Sequence, residues 1–397
     1  MTPGIRGTVS ATAATLLIAL IASVPAMAAD WPQSGYGPGH TGANPHESVL
    51  GSSEVTHLTV GYRIATRAPA SEPIVVNGTG YSSVGDHIVA FDSTTGAVSW
   101  RRPTCGDAAR PFDVPAYAGG NLWLMHTDSM GVNVLTMMNT ATGATTCHIY
   151  PADGPASATV TRETVYVAYE SDNGSQGPSG VVDAIRATTG SVAWTTPLPG
   201  TWLNQPAIVH DKIFETTQGG LCYRLDASTG HIDWVRYLDA DIRGATVSGG
   251  GVYVTDEFGI DTTTWALSAK TGRTRWTSQA IISATGALVV DRGRVFASKY
   301  DTPQVVALDR SDGSKLWAAF GTGETSGQLT AADGLVYQVS ESGQIVARRE
   351  RNGRIVATIG EPGTLSPQTA VTVVNGELLA STDGAAGPGI EMWHVAA

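Results

Sequence analysis

The sequence predicts an all-β chain folded as an eight-bladed β-propeller with four-stranded antiparallel blades. Three observations carry that expectation. A ten-residue hairpin pattern recurs seven times at spacings of 40 to 47 residues. Further short β-rich runs precede each copy, with no amphipathic helical run of useful length between them. The chain ends supply one more unit, split between a lone N-terminal strand and three C-terminal ones. Composition agrees, since only 15% of residues are charged and Gly, Thr, Val and Ala dominate. That mix suits short half-buried strands joined by many turns.

The hairpins read FDSTTGAVSW around Gly96, MNTATGATTC around Gly143, IRATTGSVAW around Gly190 and LDASTGHIDW around Gly230. LSAKTGRTRW around Gly272, LDRSDGSKLW around Gly313 and RRERNGRIVA around Gly353 complete the series. A period of this length signals stacked supersecondary units. Asp92, Asn139, Asp226 and Asp309 are expected to close Asx-type turns on the amides ahead. The Gly four residues on supplies the left-handed backbone that other residues enter at a cost of roughly 1–2 kcal/mol. Trp100, Trp194, Trp234, Trp276 and Trp317 each follow their Gly by four residues. A large aromatic at one place in successive units predicts a packing joint between neighbours.

Each unit supplies four strands. In the fifth, GATVSGG, GVYVTDEFG, TTTWALSA and RTRWTS fit strands of about five residues, which is the content of a propeller blade. A helical solenoid is thereby excluded, and a parallel β-helix would need shorter coils. At the C-terminus TAVTVV, GELLAST and IEMWHV give three strands, and LTVGYRIA (58–65) precedes the first full unit with Tyr62 in the Trp position. Pairing the two ends closes the ring as an eighth blade and removes open sheet edges; seven blades is the alternative.

Residues 1–29 have the layout of a secretory signal peptide. A thin positive start at Arg6 leads into the uncharged run ATAATLLIALIASV and then AMAAD. The expected organisation is therefore a signal over 1–29, an N-terminal segment over 30–57 and one propeller over 58–397. A secreted or extracytoplasmic monomer is expected, with no lipid anchor and no transmembrane span after cleavage. The formal charge of −11 argues against a nucleic-acid or anionic-membrane partner. Of three cysteines, Cys105 and Cys147 are the favoured disulfide, with Cys222 left as a small core hydrophobe.

The A-[LF]-D-x-x-T-G-x-x-x-W pattern, in AFDSTTGAVSW and ALDRSDGSKLW, resembles the tryptophan-docking repeat of quinoprotein-type propellers with pyrroloquinoline-quinone (PQQ)-like repeats. DWPQSGYGPGHTGANP (30–45) resembles the N-terminal segment of many exported members. The resemblance implies one of two functions. One branch comprises dehydrogenases that hold PQQ and calcium in the channel, with an Asp base and a disulfide of adjacent cysteines against the quinone. The other is BamB-like, non-catalytic, and binds partner proteins. No two cysteines are adjacent here, and the chain is short for the first branch. The lipidation Cys of the second is absent.

No catalytic or metal-ligating residues are expected. Asp239 and Asp241 open LDADIRG like a calcium loop, but Arg243 stands at the fifth position and would repel the cation. YESDNGSQGPSG reads as an exposed loop, and neither a G-x-S-x-G elbow nor a phosphate cradle is present. Attention therefore falls on the blade-joining loops TCGDAARPFDVP, PLPGTWLNQP and YLDADIRGA. They offer Trp202, Asn204, Gln205, Arg110 and Arg243 as candidate ligand or partner contacts, with Trp202 otherwise covering the junction of blades 3 and 4. The expected function is a binding or scaffold propeller without a cofactor, engaging a protein or a glycan. The alternative is a minimal PQQ-dependent dehydrogenase with calcium.

Overall fold

The computed structural model describes residues 30–396 apart from 107–112, 152–153, 155, 173–177, 257–261, 282–283, 300–303, 321–327, 367–368 and 386. The signal expected over 1–29 lies outside the described residues. Eight sheets, each a meander of four antiparallel strands, stand around a central channel. Their innermost strands, in order, are Ile74–Val76, Ala116–Ala118, Ser157–Val160, Ala207–Val209, Thr246–Ser248, Ala284–Asp291, Thr330–Ala332 and Val371–Val374. The sequence therefore predicts the fold and the blade number correctly. The last blade is completed at its rim by Leu58–Ala65, which pairs antiparallel with Gly389–Val395. The two chain ends thus share one sheet, and no helix among the described residues is long and apolar enough to cross a membrane.

The hairpin motif has one local geometry throughout. Gly96 lies at φ 72° and donates its N–H to Asp92 O, while Asp92 N–H donates to Ala97 O. The Asp92 carboxylate accepts the Thr94 and Thr95 amides, which lowers its pKa. Asn139, Asp226 and Asp309 accept amides in the same way. After six of the seven turns the register slips by one residue, as at Ala90/Phe91 and Ala307/Leu308, and only blade 2 keeps a continuous register. A left-handed Gly followed by such a bulge fits the strong twist that a propeller blade requires.

Between blades the aromatic side chains meet the next hairpin. The indole N–H groups of Trp194, Trp234, Trp276 and Trp317 donate to the carbonyls of Ala227, Ala269, Arg310 and Glu350, at 3.1, 3.3, 2.9 and 2.7 Å. Every acceptor stands three residues before the hairpin Gly of the following blade. Tyr62 makes the equivalent bond to Ser93 O at 2.7 Å. The glycines are needed sterically as well, because a Cβ on Gly313 would lie 2.5 Å from the Trp276 ring.

Three joints depart from this scheme, and in the one from blade 7 to blade 8 Ala357 stands at the aromatic position. Trp100 does not reach Gly143; Arg102 intervenes, stacked 4.4 Å from the Trp100 ring, with its guanidinium 3.4 Å from Asn139 O and Thr140 O. Its fork supplies the donors that an indole supplies elsewhere. In blade 2 Cys147 stands in the Trp position and forms a disulfide with Cys105, while His148 faces Gly190. Cys222 is free and buried.

Trp276→Ala is expected to lower the unfolding free energy by about 3–5 kcal/mol. Trp100→Ala, with Arg102 still seated on Gly143, should cost less. Urea denaturation midpoints would rank the two.

Candidate functional site

Each blade presents an edge strand to the channel, and that edge carries backbone groups that need partners. The N-terminal segment supplies them in blade order. Trp31 exchanges backbone bonds with Val75 in blade 1, and Pro32 O accepts from Tyr117 N–H in blade 2. Gln33 binds both the carbonyl and the amide of Val160 in blade 3 through its side chain. Carbonyls of Pro38, Gly39, Thr41 and Gly42 then accept from Ile208, Val247, Val290 and Ala331 in blades 4 to 7. Asn44 donates its side-chain amide to Val373 O in blade 8, 2.8 Å away. The segment resembling that of exported propellers is thus an inner lining, and Ala43–Asn44 adds a fifth, parallel strand to blade 7. The lining runs close to the wall. A Cβ on Gly39 would stand 2.8 Å from Val247 O, and one on Gly42 would stand 2.6 Å from Val289 Cγ2.

Two buried titratable groups pin this lining. Trp31 Nε1 and Ser34 Oγ donate to the two oxygens of Glu72, at 3.0 and 2.8 Å. Burial pushes the Glu72 carboxyl up to about 7, against the opposing effect of those bonds. His40 is buried and its pKa is lowered by desolvation. Its Nε2 lies 3.0 Å from both Pro206 O and Thr159 Oγ1, and the carbonyls of Pro206 and Ser34 oppose the effect of burial.

The blade-joining loops surround the channel mouth above this lining. One cavity of about 280 Å³ is floored by Ser34, Gly35 and His40 and walled by Asn204, Gln205, Arg243 and Ala245. A second, of about 200 Å³, is lined by Gln33, Asp113, Trp123, Ser157 and Gln205. Three of the sequence candidates therefore meet at one mouth. Two of them are committed to the scaffold. Asn204 Nδ2 donates to Thr216 O and Ile242 O, and Gln205 Nε2 donates to Ala158 O. Arg110 lies outside the described residues.

Trp202 stands apart from these cavities, 54% exposed. Its backbone is left-handed, at φ 57°, a region that bulky residues rarely enter. The Glu170 carboxylate accepts its N–H, and its carbonyl accepts Gln218 N–H at 2.9 Å. The loop holds this indole outward instead of laying it over the blade junction. Sequence reasoning picked out the residue but had no signal for Glu170, a buried strand carboxylate more than thirty positions away.

The described residues of these two cavities do not match a tricarboxylate quinone with calcium. They offer one carboxylate, Asp113, and one guanidinium, Arg243, among amides, hydroxyls and apolar groups. Among the described residues no group of three or more His, Cys, Asp or Glu is placed to hold a metal ion. The bonded cysteines are 42 residues apart, not adjacent.

Ring, repeat and lining together define a propeller of the PQQ-like-repeat class. A family model described as outer membrane protein assembly factor BamB matches residues 51–202, 178–284 and 279–359, and the chain belongs to that family. It is 29% identical over 191 residues to the BamB of Yersinia pestis, covering 44% of this chain and 47% of that protein. The chain thus spans about half the length of this curated relative. BamB of Moraxella catarrhalis superposes with a TM-score of 0.62 at 18% identity, over 85% of this chain and 99% of that one. A quinohemoprotein alcohol dehydrogenase from Pseudomonas putida HK5 gives 0.67 at 13% identity, over 92% and 80%. These two likenesses show the fold alone.

The folded state holds a proton on Glu72 that the unfolded chain releases above about pH 4.5. The associated stability is therefore full below pH 4.5 and is lost as the pH rises through about 7. Glu72→Gln should remove this falling slope, at most about 1.4 kcal/mol per pH unit. Denaturation midpoints of both proteins at pH 5 and pH 7.5 would show it.

Proposed function

We propose that the protein is a non-catalytic, cofactor-free extracytoplasmic scaffold whose blade-joining loop face engages a protein partner. The presentation of Trp202 carries this reading. The backbone that carries this exposed indole is left-handed and is held by a buried carboxylate before any partner arrives. Holding that backbone beforehand reduces the ordering cost of association, and large aromatics dominate interface energetics. The family supports the reading, since its name describes an assembly factor. The channel supports it too, because the chain's own N-terminal segment uses the inner strand edges around the ring. A sugar ring stacked on the same indole is the competing occupant of this face.

The test is affinity capture from the native extracytoplasmic fraction with the wild-type chain and with Trp202→Ala, which removes an exposed side chain only. Capture of a defined protein should fall roughly tenfold or more in the variant, with an unchanged melting temperature. Equal capture by both proteins would defeat the assignment of this loop. A quinone spectrum shifted stoichiometrically on mixing with PQQ and calcium would defeat the cofactor-free reading.

A further inference from the structure

The face opposite Trp202 carries the turns between first and second strands and the hairpins between third and fourth. On blades 5 to 7 it gathers arginines that the functional reading above does not use. A cavity of about 530 Å³ between blades 5 and 6 is lined by Arg275, Arg292, Arg294 and Arg310 with one carboxylate, Asp309. A neighbouring cavity of about 360 Å³ is lined by Arg292, Arg294, Arg349 and Arg351, with Asp333 and Glu350. Arg292 and Arg294 belong to both, so the two form one basic tract on a chain of formal charge −11.

These guanidiniums are poorly neutralised. Arg292 has Asp291 and Asp333 at 3.6 and 3.5 Å, and Arg275 donates to Gly250 O. Arg294 donates from one terminal nitrogen to Arg292 O, while its Nε is buried without a partner. Among the described residues the guanidiniums of Arg310, Arg349 and Arg351 have neither hydrogen bond nor salt bridge. Glu350 is buried beside them, and burial and the Asp291 carboxylate push its carboxyl up to about 8. The carboxylates that remain, Asp291, Asp309 and Asp333, face six arginines. The tract is also easy to approach, because Gly293 has nothing within 4 Å of where a Cβ would lie.

We infer that this tract is a binding site for a ligand carrying two or more phosphate groups. A carboxylate offers two oxygens and one charge, which satisfy a single guanidinium fork. Each cavity instead is lined by four arginines, and a phosphate group brings three acceptor oxygens and up to two charges. Two cavities joined through shared arginines match two linked phosphates better than one. A lipid headgroup and a soluble oligophosphate share this chemistry.

The test uses the mature chain at low ionic strength with inorganic triphosphate, followed by calorimetry. Vesicles containing phosphatidylinositol 4,5-bisphosphate, whose headgroup carries two phosphomonoesters, against phosphatidylcholine alone form a second arm, and oligoglutamate a third. Triphosphate, the bisphosphate lipid or both should bind, which identifies the source, and added salt should weaken binding. Arg275→Gln and Arg351→Gln, one exposed residue in each cavity, should each weaken it roughly fivefold or more with an unchanged melting temperature. Arg186→Gln on blade 3 should leave it unaltered. The inference is overturned if neither phosphate probe binds, if oligoglutamate binds as tightly as triphosphate, or if binding survives both arginine variants. Because these residues lie on the face away from Trp202, either result is independent of the partner assignment.

Discussion

The structure depends on how eight inward-facing strand edges are satisfied. A propeller hides most of its edges by closing the ring, but the innermost strand of each blade still turns a row of amides and carbonyls toward the channel. Here residues 31–44 bind all eight in succession, six through main-chain groups and two through the side chains of Gln33 and Asn44. The same stretch then continues through Glu54–His57 into Leu58–Ala65, the rim strand of the last blade. Lining the channel and closing the ring are consequently one act of the chain. Loss of the segment would open the edges and take away the strand that joins the two ends.

The joints between blades show how much variation one geometry tolerates. What each joint requires is a donor aimed at the carbonyl three residues before the next hairpin Gly, and a flat group over that Gly. Indoles meet both requirements four times, and the Tyr62 phenol meets them once. Arg102 meets them differently, with a planar guanidinium that also stacks on Trp100. The second blade has no aromatic at this position, and Cys147 ties its outer strand to Cys105 in the preceding connection. A covalent link that closes a loop of this length restricts the unfolded chain, which is another route to the same stability.

What could be read from the sequence follows from what is periodic. The hairpin Gly, the Asx residue and the aromatic recur at fixed spacing, so turns, blades and the pairing of Leu58–Ala65 with the C-terminal strands were all legible. The lining was not, because Pro38, Gly39, Thr41 and Gly42 act through their carbonyls, and a carbonyl leaves no side-chain signature. The exchange of Arg102 for an indole was hidden for a related reason, since Trp100 itself stands in register. At the channel mouth Asn204 and Gln205 were legible as loop amides, but their use as braces depends on carbonyls from other blades. The arginine tract was invisible because its members come from separate turns and strands spread between Arg275 and Arg351, each unremarkable where it stands.

The two faces differ in the physics they offer. On the blade-joining face the two described cavities are small and braced, and Trp202 stands exposed on a backbone held at both its N–H and its carbonyl. Such a surface gains by burying area against a shaped partner and responds weakly to salt. On the opposite face blades 5 to 7 gather arginines beside the buried Glu350, and the attraction proposed there for an anion is electrostatic. The rigid ring separates them, since each blade contributes its joining loop to one side and its hairpin to the other. A chain built by repeating one hairpin can therefore specialise the two sides independently. The repeat constrains the strands and turns that hold the ring and leaves the residues flanking them free to change.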